Sequence, residues 1–327
     1  MKNRPVTDKV CNILLMIAVL FFFVSNFFLI DTDIKHNTLF AYIASIVLVF
    51  GITVSVYLIV EHYFLFPSHS MLLPILTLFL LSLFPELLYQ YKTNMVSLLL
   101  VWVLYFSLRF TIGERGFGAL FISFGLLAIV AFIVPQLIWL IPVFFFLLLY
   151  YADFNPRVPV VMLGGFLTPV IYLTAYGFIE EEKMSIGVLR DFFTPAFQIT
   201  ASFPFSVFSM EILMLSVILA AFLIAGGYVI AKNRKQRVKV TLALNMTLFT
   251  AVALLVIIFL FYMGNPKLSF VLAAPYISIL LFNLFKSSMS KKMTRVVCYL
   301  LIILTILIRI ADIVTIDKIM MGLPSFR

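Results

Sequence analysis

Six side chains in this sequence have types and spacings that could do chemistry. They are Asp31 and Asp33, Glu86 directly after Pro85, Glu211, and Arg309 with Asp312. A carboxylate at Asp31, Asp33 or Glu86 can act as a general base toward an acceptor hydroxyl; these three are the candidate catalytic residues. Arg309, Asp312 and Glu211 are the candidate substrate-binding residues. Arg309 would contact an anionic ligand, and Asp312, three residues on and on the same helix face, would orient it. Each group also has a simpler reading. Asp31-Thr32-Asp33 can be a solvated loop closing a helix, and Glu211 can favour the positive end of a helix dipole. Arg309 and Asp312 can form a salt bridge at an interface, with the arginine reaching toward water.

The elements that would position these groups are oily. Of 327 residues, 64% are hydrophobic and only 11% charged, and the mean hydropathy is +1.18. Soluble domains carry about 25% charged residues, so a soluble fold would lack a polar surface. Disorder is excluded by the same composition, since disordered chains are polar and poor in aromatics, whereas this one has 37 Phe. Apolar runs of about 17–23 residues are long enough to cross a bilayer at about 1.5 Å per residue. Eleven are read, at 11–30, 39–60, 71–89, 95–112, 117–134, 136–152, 159–178, 207–231, 240–262, 268–286 and 296–316. The expectation is an all-α, polytopic transmembrane bundle forming one membrane domain over 1–327. The first run is too long for the apolar region of a signal peptide and lacks its small-residue cleavage site, so it is read as a retained helix. Between 117 and 152 the only break is Pro135-Gln136, which predicts a tight helical hairpin; one bent helix with a re-entrant piece is the alternative. Gly164-Gly165 with Pro169, and Pro275, mark helices that could be kinked or broken. Gly226-Gly227 and Gly116-x-Gly118 read as close-packing points between helices.

Charge placement orients the bundle. With the N-terminus in the cytoplasm, 15 of the 23 Lys and Arg fall on inner segments, as the positive-inside rule requires. The clusters Lys232–Lys239 and Lys286–Arg295 lie two helices apart, so they share a side. The C-terminus is then periplasmic, and the expected location is the bacterial cytoplasmic (inner) membrane. All six candidate residues fall at the outer level. The formal charge of +9 serves topology here, and no nucleic-acid partner is expected. The bilayer is the expected partner, with a lipid-linked glycan as the candidate ligand. Cys11 and Cys298 both sit near cytoplasmic helix ends, so no structural disulfide is expected. The outer loop 179–206 opens on Glu180-Glu181-Glu182 and is otherwise aromatic. It is read as a cap, or as a lid over an outward pocket, part of it lying in the membrane interface.

Several functions are excluded by count. His36, His62 and His69 are the only histidines. The first lies outside and the other two inside, so they cannot converge on a metal. No P-loop, GxGxxG, HExxH or GxSxG occurs. No cofactor and no metal are expected. Asn26, Asn245 and Asn283 read as interhelical hydrogen-bond glue.

The run SFGLLAIVAFIVPQLIWLIPVFFFLLLYYADFNPRVPVVMLGGFLTPVIYLTAYGF from Ser123, the basic loop Lys232–Lys239, and LSFVLAAPYISILLFNLF from Leu268 together resemble a family of multi-pass inner-membrane proteins of Bacteroidota with a domain of unknown function. The resemblance spans about two-thirds of the chain. The Gly125–Leu149 hairpin is faintly similar to an element of multi-pass glycosyltransferases that use polyprenyl-phosphate sugars, which often carry a catalytic acid in their first external loop. This chain departs from them: it lacks a clear acid pair in that loop beyond Asp31 and Asp33 and lacks their large soluble outer domain, and no catalytic residue carries over.

Three functions stay open. The first is an envelope-biogenesis protein acting on a lipid-linked or glycan substrate at the outer face, like a glycosyltransferase or polymerase. The second is a transporter or flippase whose Arg309 reads an anionic head group. The third is a non-catalytic subunit or scaffold.

Overall fold

The computed structural model describes residues 12–20, 37–63, 71–82, 90–112, 116–151, 155–181, 238–261 and 266–287. It also describes Thr194, Gly227 and positions 295, 296, 298, 299, 302, 303 and 306. All regular structure among them is helical. The elements are α1 (12–20), α2 (Asn37–His62), α3 (Leu72–Leu81), α4 (Tyr91–Ile112), α5 (Phe117–Ile133), a 3-10 turn (Pro135–Trp139), α6 (Leu140–Tyr151), α7 (Arg157–Glu181), α8 (Val238–Phe261) and α9 (Pro266–Ser287). Four stretches are long and apolar enough to cross a bilayer: Phe40–His62, Tyr91–Ile112, Arg157–Ala175 and Val238–Ile257. The fold is an all-α membrane-type bundle.

Local sequence sets the helix starts. Pro74, Pro142, Pro159 and Pro266 all fall in first turns, where the missing N–H would have no helical partner anyway. Asn155 caps α7, its side-chain oxygen accepting the Arg157 N–H at 3.0 Å. Val134 is extended, with φ −134° and ψ 94°, as a residue before proline prefers. That bend separates α5 from α6.

Contacts fix the directions. Phe110 and Phe117 meet at the α4–α5 turn, with ring centroids 6.3 Å apart. Further along, Ser107 and Ser123 hydroxyls are 2.9 Å apart, so the two helices are antiparallel. Thr111 bonds the Met246 sulfur at 3.6 Å, and Tyr151 lies beside Asn245. The start of α5 and the end of α6 therefore return to one end of the bundle. Residues 117–151 form two helices, α5 and α6, separated by the 3-10 turn at Pro135–Trp139. The same end holds the C-termini of α2 and α4 and the N-termini of α7 and α8. The short connection 262–265 brings α9 back to it.

Of the readings for Pro169 and Pro275 a break is excluded, since helices α7 and α9 continue through both prolines. The glycine expectations are corrected. Nothing approaches the β-positions of Gly116 or Gly118 within 4 Å, so these are not close-packing points; Gly116 instead precedes the first turn of α5 in an extended conformation. Gly227 meets only Leu248 at 3.8 Å, an ordinary contact. The close approach is at Gly165, where a β-carbon would overlap the Phe121 carbonyl and lie 3.1 Å from the Phe121 Cα. Helix α7 also runs to Glu181, three residues past the expected loop boundary at 178; the remainder of that loop lies outside the described residues, Thr194 apart.

The cysteine expectation is overturned as well. Cys298 is disulfide-bonded, and Cys11 is the only other cysteine in the chain. The expectation rested on compartment chemistry, which bears on whether a bond persists and not on whether two helix ends meet.

Candidate functional site

Asp31, Asp33, Glu86, Glu211, Arg309 and Asp312 all lie outside the described residues, as do Asn26, His36 and His69. Of the asparagines read as glue, Asn245 of α8 lies beside Tyr151 of α6, and Asn283 is buried in α9. No group of three or more His, Cys, Asp or Glu able to hold a metal occurs among the described residues.

The described polar groups form two sets. The first is a seam inside the bundle, centred on α9. Every residue from Val271 to Phe285 is buried, so any polar group there needs a protein partner. Pro275 lacks an N–H and leaves the Val271 carbonyl, four residues earlier, without its helical donor. The Ser97 hydroxyl of α4 donates to that carbonyl at 3.2 Å. One turn on, Thr77 of α3 donates to Ser278 Oγ at 2.9 Å, and Ser278 donates to the Pro275 carbonyl at 2.7 Å. Between α4 and α5, Ser123 donates to the Val103 carbonyl at 3.3 Å, so Ser107 is the donor in its 2.9 Å bond to Ser123. Tyr276 departs from this pattern: it is fully buried, and its hydroxyl has no hydrogen-bond partner. The seam explains how the helices hold register.

The second set lies where α2 and α4 end. A cavity of about 150 Å³ there is lined by Ser55, Leu58, Ile59, His62, Trp102 and Tyr105. Parallel packing of α2 on α4 builds it: Leu98 lies 3.7 Å from the β-position of Gly51, and Tyr63 donates to the Tyr105 carbonyl at 3.1 Å. The rings brace one another. Tyr63 and His62 are edge-on at 5.0 Å, Trp102 and Tyr105 at 5.3 Å, and His62 lies 6.0 Å from Tyr105. Burial pushes the Tyr63 phenol well above its ordinary range; Tyr105 adds to this and Arg109 opposes it. Arg109 stands one helical turn beyond Tyr105 on the same face of α4 and is exposed.

In the sequence His62 belongs to no convergent histidine set, and Trp102 and Tyr105 read as ordinary span residues. The available signal was the recurrence of ring-bearing residues at 102, 105 and 106 just before Arg109, an aromatic–basic grouping typical of membrane interfaces.

No protein-family model, no curated protein and no solved structure matches this chain. The resemblance to the Bacteroidota family therefore rests on the quoted residues alone.

Proposed function

We propose that the chain is an eleven-span protein of the bacterial inner membrane, N-terminus cytoplasmic and C-terminus periplasmic, which works on a lipid-linked or glycan substrate of the cell envelope at its outer face. In this reading Asp31, Asp33 and Glu86 supply the general base in a glycosyltransferase- or polymerase-like reaction. Arg309, oriented by Asp312 and assisted by Glu211, holds the anionic part of the substrate.

The observation that carries the orientation is the gathering of cations at one end of the bundle. Arg109, Arg157, Lys239 and Lys286 fall at the end where α4 and α9 finish and α7 and α8 begin, whereas Lys92 and Lys267 fall at the other. Basic residues stay on the cytoplasmic side, so this end faces the cytoplasm. The candidate acids and Arg309 then belong to the opposite level by the order of the spans. The substrate reading is supported by that common level and by the faint similarity of the Gly125–Leu149 hairpin to the polyprenyl-phosphate enzymes.

The test is to replace Asp31, Asp33 and Glu86 singly by Ala in the producing cell. Lipid-linked glycans are then quantified in its membranes. Loss of a product, or build-up of a lipid-linked precursor, with at least one variant is expected. An unchanged glycan profile in all three, at normal protein levels, rejects the catalytic assignment.

A further inference from the structure

The cavity between α2 and α4 is not used by the proposed reaction, which lies at the other end. Its surroundings describe a ligand. Helix α2 presents exposed apolar side chains at Phe40, Ile43, Val47, Phe50, Val54 and Leu58, a three-and-four spacing that makes one continuous stripe. The next position on that stripe is His62, exposed and in the cavity wall. The stripe thus runs from apolar surface directly into a pocket with a polar end. From Val47 to Leu58 it covers about 16 Å, close to the depth of one leaflet's hydrocarbon, half of the roughly 30 Å core.

The pocket itself is amphipathic. Leu58 and Ile59 line its apolar part, and Trp102, Tyr105 and His62 its aromatic and polar part. Arg109 stands one turn beyond Tyr105, and this is the basic end of the bundle. Glu61 precedes His62 in the chain, is exposed, and has an interaction of its own. An apolar track ending in an aromatic pocket at the basic end of the bundle, with Arg109 one turn beyond the lining residue Tyr105, fits an amphiphile with a negative head.

We propose that this pocket binds the headgroup of an anionic phospholipid, with one acyl chain along the α2 stripe, the phosphate held by Arg109 and His62, and the glycerol region against Trp102 and Tyr105. Occupancy would tie α2 to α4 at their ends, where the hydrogen bond from Tyr63 to Tyr105 already joins them.

The chain has two tryptophans, which makes the site directly readable. Trp139→Phe leaves Trp102 as the only one. That full-length protein is reconstituted in phosphatidylcholine nanodiscs containing a minor fraction of either brominated phosphatidylglycerol or brominated phosphatidylcholine. Trp102 quenching should show about five-fold stronger association with the anionic lipid, the factor one basic residue is worth at a membrane surface. Arg109→Gln should abolish that preference while the melting temperature stays near that of the parent. Should Arg109→Gln not fold, His62→Ala takes its place, with a reduced preference expected. The mirror protein, Trp102→Phe with Trp139 kept, should show no preference. Equal quenching by the two lipids overturns the proposal. So does a preference for the choline lipid, which would mean an aromatic cage for a cation. Relief of quenching by soluble glycerol phosphate as readily as by unlabelled phosphatidylglycerol also overturns it, since the ligand would then be a free phosphate and not a lipid.

Discussion

Helices α7 and α9 look alike in sequence. Both are apolar, both are about the length of a membrane span, and both carry an internal proline. In the structure they are opposites. Helix α9 is enclosed by α2, α3, α4 and α8 and is buried from Val271 to Phe285. Helix α7 rests on α5 and touches α6, and only 17% of its spanning window is buried. The prolines show the difference. The carbonyl freed by Pro275 receives a hydroxyl from Ser97. The carbonyl freed by Pro169, that of Gly165, faces the bare Gly125 at 3.5 Å from its β-position. A central helix has neighbours on all sides that can supply a donor. Helix α7, packed mainly on α5 among the described residues, relies on backbone proximity. Proline is tolerated in both, by hydrogen bonding in one and by close packing in the other.

This contrast can be broken by substitution, read as unfolding free energy in mixed detergent micelles. The largest effect is expected from Gly165→Val. Its side chain would push against the Phe121 backbone, which cannot rotate away, at a cost of about 3 kcal/mol. A loss below about 0.5 kcal/mol would show that α7 is free to shift. Ser97→Ala comes next, at about 1.5 kcal/mol, because it strands a buried carbonyl in α9. Tyr276→Phe should go the other way. It removes a buried hydroxyl that has no partner, and the gain should be up to about 1 kcal/mol; a clear loss would mean that the hydroxyl has a bonded water or ligand. The smallest effect belongs to Gly164→Ala. The new methyl would meet the Phe121 ring at an ordinary 3.7 Å, so the gain in helix propensity, about 0.5 kcal/mol, should survive. Adjacent glycines on one helix are thus expected to respond with opposite signs.

The fold class was legible because it depends on composition: 64% hydrophobic residues leave little but a membrane bundle. The break at Pro135 was legible because proline constrains itself and the residue before it. The ranking of α7 and α9 was not. Hydropathy measures how apolar a helix is, not how many neighbours it has, and a lipid-facing leucine reads like a core leucine. The better indicator was the hydroxyl and amide content of α9, at Ser278 and Asn283, since such groups must find partners inside. Glycine pairs misled in the same way. Gly164-Gly165 and Gly116-x-Gly118 look equivalent in sequence, but only Gly165 meets a backbone. The α2–α4 cavity was hidden because its wall combines residues about 40 positions apart, His62 with Trp102 and Tyr105, and no local spacing links them.

The account stands on alternating helices with the basic end in the cytoplasm. The most direct measurement is a pair of reporter fusions, one following Arg327 and one inserted near Lys235, using an enzyme active only in the periplasm. Activity at the tail and none at Lys235 is the predicted result. Activity at both positions, or at neither with a stably made protein, would contradict the orientation and remove the outer-face site with it.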